Sequence, residues 1–550
     1  MKYVSAMLGL LFVGVCSAAS TPLLPTRIGD AVNQRIAVGE YPAMVIAVVD
    51  GDRSAVYGFG KLDDGKQPDA ATVFEIGSVT KTFTALLLSQ QVTAGKLTLD
   101  EPVASLLPGF AIPSRDGKTI TLGNLAMQHS GLPRMPTNFV PANPEDPYAD
   151  YGVDKLKAFL AGYTLSRDPG ASYEYSNLGV GLLGYALGQR AGTGYEKLLQ
   201  QQILNPLGMH SSSITLSDAE RAHMAAGHDA VGKPVGHWHL NVAASAGGIL
   251  STGTDMLGYL KANMGLLSSP LYPSMQFAQK PRSDGPSPDE RIGLVWMTQH
   301  RAEGDIVWHN GMTGGYASFI GFTADRRHGV VILTNAALSV DDLGFATLRP
   351  DAPLEPAHKR ISLSPQALDA YVGSYQLAPE FIVKVFRVDG QLMAQATGQG
   401  AFPIFASAAD EFFATVSGIS ISFKRDGGGQ VGSLVLHQHG DHTAPRIDDV
   451  DADAQHGNKA VALDPATLGS YVGEYRLAPD AMFEVSVKDG QLLVKLANQP
   501  ALPIYANARD KFFCRVVDAK IDFERDAGGK VVTLVLHQNG ADMRAARVSH

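Results

Sequence analysis

Two stretches of this chain, one hundred residues apart, are copies of each other, and that spacing limits what its C-terminal part can fold into. Tyr371-Val372-Gly373-Ser374-Tyr375 returns as Tyr471-Val472-Gly473-Glu474-Tyr475, Asp389-Gly390-Gln391-Leu392 as Asp489-Gly490-Gln491-Leu492, and Leu434-Val435-Leu436-His437-Gln438 as Leu534-Val535-Leu536-His537-Gln538. A period this long with two copies implies duplicated domains, because solenoid units are shorter and more numerous. Within each copy, Val383 to Val388 or Phe483 to Val487 runs into an Asp-Gly turn and out again at Leu392 or Leu492. Each copy therefore reads as a meander of hairpins closing into a small antiparallel β-barrel.

The chain has 550 residues, more than one ordinary core, so several domains are expected. A Pro-rich stretch from Leu348 to Pro365 separates the repeats from a larger N-terminal part, and the acidic stretch Asp441 to Asp453 is expected to join the two barrels. The expected division is a leader over 1–19, a large domain over 20–347, and barrels over 348–450 and 451–550. Met1-Lys2-Tyr3, the apolar run Val4 to Val15 and the small residues Ser17 and Ala19 have the pattern of a secretory signal cleaved after Ala19. The mature protein is expected to be periplasmic or secreted. Cys16 offers a lipoprotein alternative, which Val15 disfavours because a small residue is wanted just before a lipidated cysteine. After cleavage only Cys514 of the two cysteines remains, so no internal disulfide is expected. A formal net charge of -9 argues against nucleic acid or an anionic membrane as main partner. Stable membrane insertion of the mature chain is not expected, and the oligomeric state is left open.

In the large domain, Val45 to Val49 and Ala55 to Gly60 flank a tight turn at Asp50-Gly51-Asp52-Arg53, as in a hairpin. Helical spacing of apolar residues follows from Ser78 to about Gln91, from Leu178 through Leu187, and from Asp255 to about Asn263. Strands return near Ile306-Trp308, Tyr316-Phe322 and Val330-Thr334, and this part is expected to end near Leu343. Strands at both ends with helices between them predict an α/β sandwich whose mostly antiparallel sheet is closed by its own termini.

Ser78-Val79-Thr80-Lys81 opens the first helix and sets a nucleophile and a base one turn apart on one face. A lysine takes a serine proton only when it is itself kept neutral, so the pair predicts a buried polar pocket. Such chemistry also needs a proton relay and support for an oxyanion. Tyr175 and Asn177, on the loop before the glycine-rich helix, could pass a proton and hydrogen-bond substrate. In Trp308-His309-Asn310-Gly311-Met312, His309 and Gly311 point the same way along a strand. The glycine would let substrate approach the backbone, as when an edge strand takes up an extended peptide.

Ser78-x-x-Lys81, Tyr175-x-Asn177 and His309-x-Gly311, in that order, resemble the three active-site elements of the serine β-lactamase and penicillin-recognising hydrolase superfamily. Gln128-His129-Ser130-Gly131-Leu132-Pro133, Asn205-Pro206-Leu207-Gly208-Met209 and Ala246-Gly247-Gly248-Ile249-Leu250-Ser251-Thr252 resemble its class C-like branch, and the likeness covers roughly residues 30 to 340. The resemblance implies Ser78 as acylated nucleophile, Lys81 as base, Tyr175 as relay, Asn177 and His309 as substrate ligands, and the amides of Ser78 and Met312 as oxyanion hole. It assigns nothing to Glu75 or Thr80. One departure bears on substrate: β-lactamases and cell-wall carboxypeptidases of the superfamily usually carry a lysine where His309 stands, a fixed charge for the substrate carboxylate. His-x-Gly is common in its D-aminopeptidases, related peptidases and esterases. The D-aminopeptidases also resemble this chain in layout, with two lipocalin-like barrels after the catalytic domain and a barrel loop that reaches the active site. The resemblance thus implies an exported serine hydrolase of D-amino-acid-containing peptides, with a carboxylesterase second and a β-lactamase or D-Ala-D-Ala carboxypeptidase third. From another class, an inactive module binding cell-wall or lipid ligands is the alternative. The substrate partner is a small peptide or ester, and no cofactor or metal is expected.

Several look-alikes have plainer readings. Tyr505-Ala506-Asn507 aligns with Phe405-Ala406-Ser407 in the first copy and belongs to the repeat. His129-Ser130-Gly131 lies before Leu132-Pro133 and shapes a loop. Neither His437, His439 and His442 nor His237 and His239 reads as a metal site, since only His437 recurs in the second copy. The paired tyrosines Tyr371/Tyr375 and Tyr471/Tyr475 read as core fillers. No Gly-x-Ser-x-Gly elbow is present, which disfavours an α/β-hydrolase.

Overall fold

The computed structural model describes residues 22–548 apart from short stretches of the barrels at 379–380, 389, 398–400, 415–418, 439, 449–458, 479–480, 489, 497–500, 516–518 and 539–540. The leader with Cys16, the turn residues Asp389 and Asp489, and His439 lie outside the described residues.

The N-terminal helix α1 (Thr26–Ala37) leads into the hairpin β1 (Ala43–Asp50) and β2 (Arg53–Gly60). Asp50 pairs with Arg53 across the turn, where Gly51 takes a φ of +61° that a side chain would resist. The nucleophile helix α2 (Thr80–Thr93), α3 (Asn177–Ala191) and α4 (Gly253–Asn263) follow. The sheet then resumes with β3 (Ser283–Asp284), β4 (Glu290–Ile292), β5 (Met297–Gln299), β6 (Ile306–Met312), β7 (Ala317–Thr323) and β8 (His328–Thr334). Strand order is β2-β1-β8-β7-β6-β5-β4-β3, and each neighbouring pair is antiparallel. The first hairpin thus closes the sheet against its last long strand, Val45 facing Leu333 and Ala47 facing Val331.

Alternation along these strands feeds two cores. Met44, Ile46, Val48, Phe319 and Ile332 pack under α1 and α5 (Asp341–Leu348), against Ile28, Val32 and Leu343. Val45, Ala47, Val49, Ile320 and Val331 face the other way, toward Phe83, Leu86, Leu183 and Tyr259 of α2, α3 and α4. Every residue from Thr80 to Ser89 is buried, so α2, apolar or small over this stretch apart from Lys81, forms the centre of this layer. The domain runs past Leu343: α5 continues to Leu348, where Phe345 and Leu348 cover the sheet.

Each repeat is a closed eight-stranded antiparallel barrel, from Gly373–Ala378 to Asp441–Ile447 and from Gly473–Ala478 to Ala541–Arg547. The acidic stretch is therefore not wholly a connector. Asp441 to Ile447 is the closing strand, hydrogen-bonded to its hairpin partner and back to the first strand at Ser374 and Tyr375. Tyr371, Tyr375, Phe412 and Phe423 fill the first interior, and Tyr471, Tyr475, Phe512 and Phe523 the second.

Candidate active site

The site forms where the start of α2, the start of α3 and the second half of β6 meet. Ser78 lies in a 3-10 turn, Gly77–Val79, immediately before α2, which leaves its side chain at the helix mouth. Lys81, one turn on, is fully buried. Its Nζ is 2.8 Å from Ser78 Oγ, 2.8 Å from Asn177 Oδ1 and 2.6 Å from the Ala246 carbonyl. Burial, with the Arg134 guanidinium as a lesser cause, lowers the Lys81 pKa well below the ordinary 10.5. A neutral amine has two N–H groups and one lone pair. Asn177 Oδ1 and the Ala246 carbonyl can only accept, so they take the two N–H groups and leave the lone pair facing the Ser78 hydroxyl.

Tyr175 Oη donates to Ser78 Oγ at 2.6 Å. Burial pushes its pKa up to about 12, so the phenol stays a donor at neutral pH. Its position follows from Gln128, which takes a φ of +61°. The Gln128 carbonyl accepts from Glu174 N at 2.8 Å, and its Oε1 accepts from Ser176 N at 2.7 Å, so the loop is gripped on both sides of Tyr175. Asn177 is the first residue of α3, capped by Ser176, whose side chain accepts from Gly179 N. Asn177 therefore orients the lysine as well as lying beside the cleft.

His309 is buried, with Nδ1 2.6 Å from the Asn310 carbonyl. That carbonyl requires the proton on Nδ1 and leaves Nε2 as an acceptor. Burial, then the nearby Lys81, lowers its pKa to about 3, so His309 is neutral at working pH. β6 is not an edge strand throughout: β5 pairs with Ile306 to Trp308 and leaves 309–312 open on that side. Gly311 is required by protein contacts in addition to any substrate. A Cβ there would collide with the Ile76 carbonyl and come within 2.6 Å of Ser318 Oγ and 2.9 Å of Ser78 N. Gly77, at φ +49°, answers it, since a Cβ there would lie 2.6 Å from Met312 N. The two glycines let β6 lie against the nucleophile turn, which brings the Ser78 and Met312 amides into one small region. A cleft of about 100 Å³ opens beside Tyr173, Tyr175, Met297 and His309. A larger cavity of about 650 Å³ lies between α5 and the first barrel, away from this chemistry.

Sequence reasoning missed Gln128, Arg134, the Ala246 carbonyl and the rim around Trp238. Gln128 and Ala246 sit in the framing segments but carry no reactive group to flag them. The Arg134 guanidinium lies 4.9 Å from the Tyr175 ring centroid. Glu75 accepts from His237 Nδ1 at 2.6 Å and from Trp238 N at 3.1 Å. His239 pairs separately with Asp146 at 2.7 Å. Trp238 is thus held against Gly314 and the Tyr148 ring. Thr80 Oγ1 accepts from Ile249 N at 3.1 Å and ties α2 to the residue just before the short strand Leu250–Thr252. His129 Nδ1 meets the Met127 carbonyl at 2.6 Å, a loop role, and Tyr505 and Asn507 lie in a strand of the second barrel. Among the described residues no group of three or more His, Cys, Asp or Glu is placed to hold a metal, and no helix is long and apolar enough to cross a membrane.

The beta-lactamase family profile matches residues 29–349, more than half of the chain. The chain belongs to the beta-lactamase family. Residues 357–455 and 458–547 match a domain of unknown function, DUF3471. A beta-lactamase of Pseudomonas fluorescens is 28% identical over 323 residues, covering 53% of this chain and 87% of that protein. The D-alanyl-D-alanine-carboxypeptidase/endopeptidase AmpH of Escherichia coli is 27% identical over 314 residues, covering 54% and 80%. Among solved structures, a class C beta-lactamase superposes with a TM-score of 0.52 at 23% identity, over 60% of this chain and 98% of its own. A beta-lactamase/D-alanine carboxypeptidase from Yersinia pestis gives 0.52 at 22%, over 59% and 96%. These likenesses show the fold, and membership of this family makes the chain a serine hydrolase of the beta-lactamase and D-Ala carboxypeptidase kind.

Proposed function

We propose that this beta-lactamase-family hydrolase cleaves amide bonds of D-amino-acid-containing peptides through an acyl-enzyme on Ser78. The carrying observation is the surroundings of Lys81 Nζ, which lies 2.8 Å from Ser78 Oγ while Asn177 Oδ1 and the Ala246 carbonyl stand at 2.8 and 2.6 Å as acceptors for the two N–H groups of a neutral amine. Lys81 takes the Ser78 proton as Oγ attacks the carbonyl carbon, and the Ser78 and Met312 amides receive the oxyanion. The C–N bond then breaks as the leaving nitrogen takes the Tyr175 proton. Tyr175, left as a phenolate, then takes a proton from an incoming water as its oxygen attacks the acyl carbon, and Lys81 returns its proton to Ser78 Oγ as the acyl C–O bond breaks and the acid leaves. D-stereochemistry is supported by the D-alanyl specificity in the name of the Escherichia coli relative. Neutral His309, an acceptor where the superfamily's penicillin-hydrolysing members usually carry lysine, favours peptides over penicillins. The same neutrality supports a second reading, a carboxylesterase, since an ester needs no fixed charge at this position.

Rates on D-aminoacyl-p-nitroanilides, short-chain p-nitrophenyl esters and a chromogenic cephalosporin test the reading. The anilides are expected to be turned over fastest relative to their uncatalysed hydrolysis. Ester turnover with inert anilides would transfer the assignment to the esterase, and no Ser78 adduct with a fluorophosphonate would end it.

A further inference from the structure

One cation at this site has no counter-charge. Arg134 is exposed on the loop after Leu132-Pro133, and its carbonyl accepts from Asn177 N at 3.1 Å, which fixes the loop to the start of α3. Its guanidinium lies 4.9 Å from the Tyr175 ring centroid, and Lys81 Nζ lies 4.9 Å from the same centroid. Two other arginines of this domain have carboxylate partners: Arg167 pairs with Glu174, and Arg115 lies 3.5 Å from Asp168. Among the described residues the Arg134 side chain has neither an ion pair nor a hydrogen bond. Its charge lowers the pKa of Lys81, Tyr148, Tyr173 and Tyr175 alike, so it is felt across the cleft. The other basic groups supply no cation, since Lys81 and His309 are both held toward their neutral forms.

We propose that Arg134 binds a carboxylate carried by the substrate, so that the site selects acidic peptides. This deepens the acyl-enzyme reading and rests on it for the identity of the reacting serine. A guanidinium presents paired N–H donors that match a carboxylate in a way a lone ammonium does not. The carboxylate could belong to the acyl half or to the leaving group, and these two sources are separable.

The test uses the full chain and the rate at which a fluorophosphonate labels Ser78. N-acetyl-D-alanine and its carboxamide serve as protecting ligands for a carboxylate on the leaving side, and succinyl-D-alaninamide and acetyl-D-alaninamide for one on the acyl side. In the wild type, one acidic ligand is expected to protect about 10- to 100-fold better than its neutral twin. In Arg134→Gln that ratio is expected to fall to near one, with partial recovery in Arg134→Lys. Using ratios cancels any change in Ser78 reactivity caused through Lys81. Equal protection by acidic and neutral ligands in the wild type, or an unchanged ratio in Arg134→Gln, would overturn the proposal. Peptide turnover is not needed for this readout, so failure of the peptidase reading shows up separately, as intact labelling with inert peptides.

Discussion

At Lys81, burial decides whether a common spacing becomes a reactive pair. The amine must be neutral to accept a proton, and desolvation reinforced by Arg134 favours that form. Because protonation removes the base, kcat/KM should be flat where Lys81 is neutral and fall as acid protonates it, with the acid limb below the ordinary lysine value of 10.5. Arg134→Gln removes a like charge, which favours the protonated amine, so the limb should move to higher pH. Loss of activity from Tyr175 ionisation should come only near its value of about 12. Replacing Lys81 by Ala should lower the acylation rate by roughly 10²- to 10⁴-fold, the usual range for a general base. Stopped-flow acylation across pH measures both effects, and a limb that stays in place in Arg134→Gln would contradict the electrostatic link.

At the scale of elements, the decisive contact is between β6 and the turn that carries Ser78. Gly77 and Gly311 remove the two Cβ atoms that would hold these backbones apart. Gly311→Ala places a methyl against the Ile76 carbonyl, Ser318 Oγ and Ser78 N, so the strand must retreat from the nucleophile. Overpacking of this kind costs about 1–3 kcal/mol. A lower melting temperature together with a loss of Ser78 labelling is expected, and a variant that labels at the wild-type rate would show that the contact is not needed for reactivity. The helix at Ser78 and the direction of His309 along its strand were legible from apolar spacing and period-two alternation. The open half of β6 was not, because the length of the neighbouring β5 depends on a loop that carries no periodic signal.

For the whole molecule, the catalytic domain has its own two cores and the barrels theirs. The connector is tied to the catalytic domain by Arg35 on the Glu355 carbonyl at 2.7 Å and by His358 N on Glu40 at 2.7 Å. His358 also stacks on Phe413 of the first barrel, with ring centroids 4.3 Å apart. Between the barrels, Lys384 donates to the Arg515 carbonyl at 3.0 Å. Ending the chain after residue 448 should therefore leave acylation of Ser78 within about twofold and the catalytic domain's melting temperature within a few degrees, as expected of units with separate cores. Calorimetry and labelling of the shortened chain measure this. A large loss of either would show that the second barrel supports the site.

The sequence by itself determined the ordered trio Ser78-x-x-Lys81, Tyr175-x-Asn177 and His309-x-Gly311, the sandwich class of the large domain and the duplication of the barrels. Each is a local pattern: a spacing, a periodicity or a repeat. Only the tertiary structure decided which protons those groups hold. Burial and then the charge of Arg134 hold Lys81 toward its neutral form, burial and then the nearby Lys81 do the same for His309, and the loop that carries Arg134 is fastened to α3. Charge state depends on what surrounds a group in space, and neighbours from distant parts of the chain leave no spacing to read.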